Sequence, residues 1–178
     1  MSSLMSRAQD ETAEFRSGQP QSAEIGGGRS SSTRRDHKRT AWALALFGLV
    51  PFVATTGLLV YAGSAFIAYQ QLVLAHVGYS TTILAFLGGI RWGYSLSPDH
   101  QSIGTLIASV VPSLFGWALV FVPPPYVFAG FALGFLAAGL WDWWAARSGR
   151  LPAWFGPLRL TISLVVAACQ VIAFAVTF

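Results

Sequence analysis

The stretch that decides the fold is Leu72–Leu96, LVLAHVGYSTTILAFLGGIRWGYSL. A helix needs about 20 apolar residues to cross roughly 30 Å of hydrocarbon, because each residue advances the helix by about 1.5 Å. The stretch meets that length, yet it contains His76 and Arg91, and ionisable side chains are rare inside membrane spans. We therefore predict a membrane-spanning helix that brings polar groups into the interior of a helical bundle.

The rest of the chain divides into a polar N-terminal part and an apolar remainder. Of the 178 residues, 54% are hydrophobic and only 10% are charged, whereas a soluble domain has about 25% charged residues. Residues 1–40 hold seven of the eleven Lys and Arg residues and five of the seven Asp and Glu residues. We predict a disordered, basic cytoplasmic tail at residues 1–40, because it lacks apolar periodicity, and a membrane domain at residues 41–178.

Four further apolar runs are long enough to span a bilayer. Pro51 lies within the first run and Pro112 within the third, and each predicts a kink or a break, because proline lacks the N–H that a helix interior uses. The predicted fold is an all-α membrane protein, a bundle of five transmembrane helices with a disordered N-terminal tail. The predicted spans cover about residues 42–61, 72–96, 103–122, 126–144 and 158–178.

The distribution of Lys and Arg predicts the orientation, because cytoplasmic loops carry an excess of both residues. The tail is basic, whereas the connections between spans one and two and between spans three and four contain neither residue type. Arg91 lies at the edge of the second connection, and Arg147, Arg150 and Arg159 lie in or beside the fourth. We predict a cytoplasmic N-terminus and an external C-terminus in a bacterial inner (plasma) membrane, with the mitochondrial inner membrane as the alternative.

Two motifs resemble those of a small membrane-protein family. The run Leu84–Gly93 (LAFLGGIRWG) resembles the SFLGG-x-x-WG signature of the transmembrane protein 69 family, with Ala85 where Ser is common. The later run from Asp142 to Arg159 resembles the second signature of that family. The resemblance covers about residues 41–178 and implies a helical integral membrane protein of an inner membrane. It implies no assigned reaction and therefore transfers no catalytic residues.

The first motif also predicts a packing surface. Ala85, Gly89 and Gly93 recur every four residues and so share one helix face, and small residues allow neighbouring helices to approach closely. We therefore predict that Gly88, Gly89, Trp92 and Gly93 are packing residues.

Three charged residues are the principal candidate site residues: Arg91, Asp142 and Arg159. Each lies near the predicted cytoplasmic end of a span, so the three are expected at similar depth. One interpretation is a charged element of a solute or proton path. The other is structural: Asp142 pairs with Arg91 or Arg159 and fixes the packing of the helices, because an unpaired charge there is costly.

His76 is the fourth candidate residue. It is expected toward the outer side of the bundle, where Tyr79, Gln70, Gln71 and Gln170 are potential neighbours. A histidine titrates near neutral pH and so suits proton transfer, whereas a hydrogen-bonded packing role is the alternative. We expect no metal site and no cofactor, because the chain's three histidines are far apart in the sequence and no ligand lies at metal spacing from His76.

The function therefore remains open between three classes. An uncharacterised multi-pass inner-membrane protein with an accessory or assembly role needs few polar interior groups, as observed. A small-solute or proton-linked transporter using Arg91 and Asp142 is the first alternative, and a membrane enzyme acting on a lipid or quinone is the second. Without a nucleophile–base motif or a phosphate-binding loop, a non-enzyme is favoured. The expected partners are the lipid bilayer and other membrane proteins or a homo-oligomer, and not nucleic acid.

Overall fold

In the computed structural model, residues 26–62, 67–97 and 103–178 are described. The described residues form helices and turns without strands. The helices, in chain order, are α1 (Gly26–Phe47), α2 (Val50–Ala62), α3 (Tyr69–Ser95), α4 (Ile103–Leu119), α5 (Tyr126–Arg147) and α6 (Phe155–Thr177). The all-α membrane fold predicted from the sequence is confirmed.

The first span contains a break where Pro51 predicts one. A segment of 25 residues, Lys38–Ala62, is long and apolar enough to cross a membrane. A turn at residues 48–49 divides it into the end of α1 and the whole of α2. Pro51 lies just after this turn and has no N–H to donate to the preceding helix, so the prediction of a kink is confirmed.

Three further helices, α3, α5 and α6, meet the length and composition of a membrane span. Helix α4 is also apolar but has 17 residues, at the lower limit for crossing the hydrocarbon. Side chains near the C-terminal ends of both α3 and α5 form an ion pair, Arg91 with Asp142. These two ends therefore lie together, and α4, which connects the helices, must run back in the opposite direction between them.

Some predictions about local structure are not confirmed. Residues 26–40, predicted to belong to a disordered tail, are part of helix α1, and extending an existing helix avoids the cost of nucleating a new one. Residues 1–25 lie outside the described residues. Pro112 does not break α4, which is continuous around it, as membrane helices permit where neighbouring groups satisfy the freed carbonyl. Helix α4 ends at Leu119 rather than at residue 122.

The core of the bundle lies around α5, whose aromatic side chains contact several other helices. Phe128, Phe131 and Phe135 are almost completely buried. Phe135 makes an edge-to-face contact with Phe52 of α2 at a centroid distance of 5.7 Å. Helices α5 and α6 pack extensively against one another, as do α3 and α4, while α2 packs against α3 and α6.

The glycines of the first motif have different environments. A Cβ atom at Gly88 would overlap the backbone oxygen of Ser109, so Gly88 permits the close approach of α3 and α4. A Cβ at Gly89 or Gly93 would meet no atom within 4 Å among the described residues, and Trp92 is 44% exposed. Close packing within the described residues is therefore observed for Gly88 but not for Gly89 or Gly93, and Gly89 differs from Gly88 because successive helix residues are rotated by about 100°.

Candidate functional site

The structure brings together Arg91, Asp142 and Arg159, which belong to three different helices. Nε and Nη2 of Arg91 donate to Asp142 Oδ1 at 2.9 and 2.8 Å, and Nη2 also donates to the Ala138 carbonyl at 3.0 Å. Nε of Arg159 donates to the other carboxylate oxygen, Oδ2, at 2.8 Å. Asp142 thus bonds both arginines, whereas the sequence pointed to one or the other. We call these three residues the charged cluster.

The charged cluster carries more positive than negative charge. Its side chains are only 12%, 5% and 7% exposed for Arg91, Asp142 and Arg159. Two guanidinium groups face one carboxylate, which leaves one formal positive charge in excess. Nη2 of Arg159 is buried without a hydrogen-bond partner. An excess buried charge is costly in a membrane protein, so the cluster is suited to a further anion nearby.

Aromatic rings surround the same end of the bundle. The guanidinium of Arg150 lies 4.5 Å from the ring centroid of Trp144, and that of Arg147 lies 4.1 Å from the ring centroid of Trp143. These distances permit cation–π attraction. Indole rings at this level are typical of the belt that anchors a helical protein at the membrane–water interface.

A cleft of about 780 Å³ adjoins the charged cluster. Three charged side chains line it, those of Arg91, Asp142 and Arg150. Most of its wall is apolar and aromatic, contributed by Leu87, Ile90, Trp141, Ala145, Leu151, Pro152 and Phe155. Its volume falls in the range of about 300–1,000 Å³ that small-molecule sites usually have.

His76 lies in a separate group of uncharged polar side chains, which we call the neutral cluster. His76, Ser80 and Gln170 are fully buried. Thr55 Oγ1 lies 2.7 Å from His76 Nδ1, and Gln170 Nε2 donates to Ser80 Oγ at 2.7 Å. Ser80 Oγ in turn donates to the His76 carbonyl at 2.7 Å.

Only one of the neighbours expected for His76 joins the neutral cluster. Gln170 does so, whereas the Tyr79 hydroxyl donates to the Gly48 carbonyl at 2.8 Å. Gln70 and Gln71 line a different cavity. Ser80 and Thr55 also bond His76, although the sequence pattern did not identify them as its partners. Within residues 26–62, 67–97 and 103–178, no three His, Cys, Asp or Glu side chains group as a metal ion would require.

Two equal spacings in the sequence indicate the contact between Ser80 and Gln170. Ser80 precedes Arg91 by eleven residues, and Gln170 follows Arg159 by eleven residues. Eleven residues are about three helical turns, so each polar residue lies on the same face as its arginine, about 16 Å along the axis. Arg91 of α3 and Arg159 of α6 lie at the same level, because both bond Asp142. Since the two helices run in opposite directions, equal steps away from these arginines bring Ser80 opposite Gln170.

Comparison with known proteins identifies a family and two similar proteins. The family described as "Protein of unknown function (DUF3429)" matches residues 37–175. Transmembrane protein 69 of Xenopus tropicalis is 34% identical over 138 residues, which are 74% of this chain and 52% of that protein. Transmembrane protein 69 of Mus musculus is 38% identical over 88 residues, 48% of this chain and 35% of that protein. The chain thus spans about half the length of the frog protein and about a third of the mouse protein. No solved structure matches.

Proposed function

The chain belongs to the DUF3429 family, and we propose that it is a non-catalytic accessory protein of a bacterial inner membrane that binds an anionic amphiphile. Relatives called transmembrane proteins, together with four helices that are long and apolar enough to span a bilayer, support a multi-pass membrane protein. The proposal adds a ligand, a headgroup position and an accessory role. Such a role requires a membrane-protein partner or a second copy of the chain.

The observation that carries the proposal is the charge of the cleft beside the charged cluster. Arg91 and Arg150 line the cleft with a single carboxylate, that of Asp142. That carboxylate also accepts a hydrogen bond from the buried Arg159. Three arginines therefore lie in or beside the cleft with one acid, and a phosphate or carboxylate headgroup would neutralise part of the excess positive charge. Basic pockets between helices on the cytoplasmic side are typical sites for anionic lipid headgroups.

The apolar walls of the cleft would contact the hydrophobic part of the proposed ligand. Leu87, Ile90 and Trp141 face the cleft from α3 and α5, and Phe155 faces it from the start of α6. These side chains offer no further charge, so they suit an acyl or isoprenoid chain rather than a polar solute. An anion with a hydrophobic tail fits both halves of the cleft, whereas inorganic phosphate fits only the basic half.

Transport is the second candidate function, and the distribution of polar groups favours it less. A solute moving from the charged cluster to the neutral cluster would have to cover about 16 Å along α3. Leu84 and Leu87 lie between the two clusters on α3 and are 1% and 7% exposed, and Phe135 of α5 is 1% exposed. These buried apolar side chains do not offer the continuous polar path that transport needs. An enzyme acting on a lipid is the third candidate, and it would use the same cleft.

Two arginines provide a matched test of the binding proposal. Both Arg150 and Arg147 are exposed and lie over a tryptophan ring, but of these two only Arg150 lines the cleft. The full chain in detergent is titrated with phosphatidylglycerol, phosphatidylcholine or inorganic phosphate, and the thermal midpoint is recorded. A ligand that binds only the folded protein raises this midpoint. We expect stabilisation by phosphatidylglycerol, little by phosphatidylcholine, and weaker stabilisation by inorganic phosphate.

The arginine variants decide whether the cleft is the binding site. Arg150→Gln should weaken the apparent affinity for phosphatidylglycerol about tenfold, since charge-assisted hydrogen bonds contribute about 1.5–3 kcal/mol. Arg147→Gln should leave the affinity close to that of the parent protein. Equal effects of the two substitutions would move the site away from the cleft. Equal stabilisation by the two phospholipids would show that the ligand needs no anionic headgroup. Stabilisation by inorganic phosphate as strong as that by phosphatidylglycerol would show that it needs no hydrophobic tail.

A further inference from the structure

The neutral cluster contains two buried polar atoms without a hydrogen-bond partner, His76 Nε2 and Gln170 Oε1. The Gln170 side chain lies next to His76, because its Nε2 donates to Ser80 Oγ, which in turn donates to the His76 carbonyl. An unpartnered buried polar group costs about 1–3 kcal/mol. The amide oxygen can only accept, so a proton on Nε2 makes the two atoms complementary.

The other ring nitrogen of His76, Nδ1, contacts the Thr55 hydroxyl, which can form a hydrogen bond with either the neutral or the protonated ring. Thr55 Oγ1 lies 2.7 Å from His76 Nδ1 and 2.6 Å from the Pro51 carbonyl oxygen. A hydroxyl can donate one hydrogen bond and accept others. With a neutral ring, Thr55 donates to Nδ1. With a protonated ring, Nδ1 donates to Thr55, and the hydroxyl hydrogen turns to Pro51. The change requires rotation of one hydrogen and no movement of heavier atoms.

Two aromatic rings border the imidazole of His76. The ring centroids of Phe52 and Phe128 lie 5.7 and 5.5 Å from that of His76, both in edge-to-face geometry. These apolar rings offer no counter-charge, so a proton on the imidazole must be held by hydrogen-bond partners, because a buried charge without them is costly.

No described side chain in contact with His76 carries a formal charge. Hydroxyl, amide and aromatic groups surround His76, contributed by Phe52 and Thr55 from α2, Ser80 from α3, Phe128 from α5 and Gln170 from α6. Tyr79, the nearest other titratable group on α3, contacts Phe52 and donates its hydroxyl hydrogen to Gly48. Arg91 of the charged cluster lies about four helical turns from His76 along α3. A proton that binds here is therefore held by the ring and its hydrogen-bond partners rather than by a counter-ion.

We propose that the neutral cluster is a proton-binding site, with the proton held on the His76 ring between Thr55 and Gln170. Proton uptake introduces one positive charge into an otherwise uncharged centre of the bundle. The site is independent of the amphiphile cleft, because it shares none of the residues that line that cleft.

Direct observation of the ring nitrogens tests the proposal. The chain has three histidines, so the double variant His37→Gln/His100→Gln leaves His76 as the only one. The full chain with ¹⁵N-labelled histidine is followed by NMR in detergent micelles between about pH 5 and 8, the range in which histidines usually titrate. We expect one reversible step in which both ring nitrogens move to imidazolium shifts while the helical circular dichroism stays constant. A ring that stays neutral throughout would overturn the proposal.

Substitutions of Thr55 separate proton binding from a purely structural hydrogen bond. Thr55→Val keeps the shape of the side chain but cannot accept from Nδ1, so the titration step should disappear from this pH range. Thr55→Ser keeps the hydroxyl and should retain the step. From the other side of the ring, Gln170→Met removes the Oε1 acceptor and should also suppress protonation. A Thr55→Val or Gln170→Met protein that titrates as the parent does would show that the neighbours do not hold the proton.

Discussion

The charged cluster and the neutral cluster use the same two helices in different ways. Helix α3 provides Arg91 to the first and Ser80 to the second, and α6 provides Arg159 and Gln170. At the charged end, ionised groups bond at 2.8–2.9 Å next to a cleft. In the centre, uncharged groups bond at 2.7 Å without exposure to solvent. The ion pairs therefore lie where water or headgroups can approach, whereas the neutral cluster, apart from the proton proposed for His76, is held by uncharged hydrogen bonds away from solvent.

The largest expected effect comes from removing the acid of the charged cluster. Asp142→Ala leaves two largely buried guanidinium groups without their carboxylate, and removing one partner of a buried ion pair costs about 3–5 kcal/mol. We expect a decrease of about 3 kcal/mol in the free energy of unfolding, measured in mixed micelles of dodecyl maltoside and dodecyl sulfate. Asp142→Asn, which keeps the shape, should also be destabilised. A loss below about 1 kcal/mol for both variants would mean that water already solvates the arginines.

The charged cluster could be anticipated from the sequence because charge is scarce in the membrane domain. Only six Lys, Arg, Asp or Glu residues follow residue 40, and the cost of isolated charges in a bilayer predicts that they pair. The spans were also predictable, since length and apolar composition determine them. The sharing of Asp142 by both arginines was not, because it depends on side-chain geometry at the junction of three helices.

The neutral cluster was harder to predict from the sequence, because serine and threonine usually bond to their own helix. Ser80, for example, donates to the carbonyl four residues earlier and also accepts from Gln170. Sequence alone gives the first interaction but not the second, which requires the relative position of α3 and α6. The outward direction of Gly89 and Gly93 was missed for a similar reason, since spacing identifies a helix face but not what lies against it.

A smaller effect should distinguish the two arginines of the charged cluster. The Arg159 side chain is 7% exposed and that of Arg91, which lines the cleft, is 12% exposed. Double-mutant cycles with Asp142→Asn measure the coupling of each arginine to the acid. We expect about 1 kcal/mol for Arg159→Gln and about 0.6 kcal/mol for Arg91→Gln, within the range of polar couplings measured in membrane proteins. A stronger coupling for Arg91 would show that the cleft does not admit enough water or ligand to screen it.

The smallest expected effect is the coupling between Ser80 and Gln170 in the neutral cluster. The bond joins two uncharged groups, and such bonds between membrane helices contribute about 0.6 kcal/mol on average. A cycle of Ser80→Ala and Gln170→Met should give a coupling of about this size in the same unfolding assay. Ser109→Ala is the matched control, because Ser109 is also buried but its hydroxyl donates to Leu106 on its own helix. Ser109→Ala combined with Gln170→Met should be additive. If the Ser80 cycle is additive as well, the hydrogen bond between Ser80 and Gln170 does not stabilise the fold. If the coupling of Ser80 with Gln170 exceeds that of Arg159 with Asp142, the neutral cluster rather than the charged cluster holds α3 and α6 together.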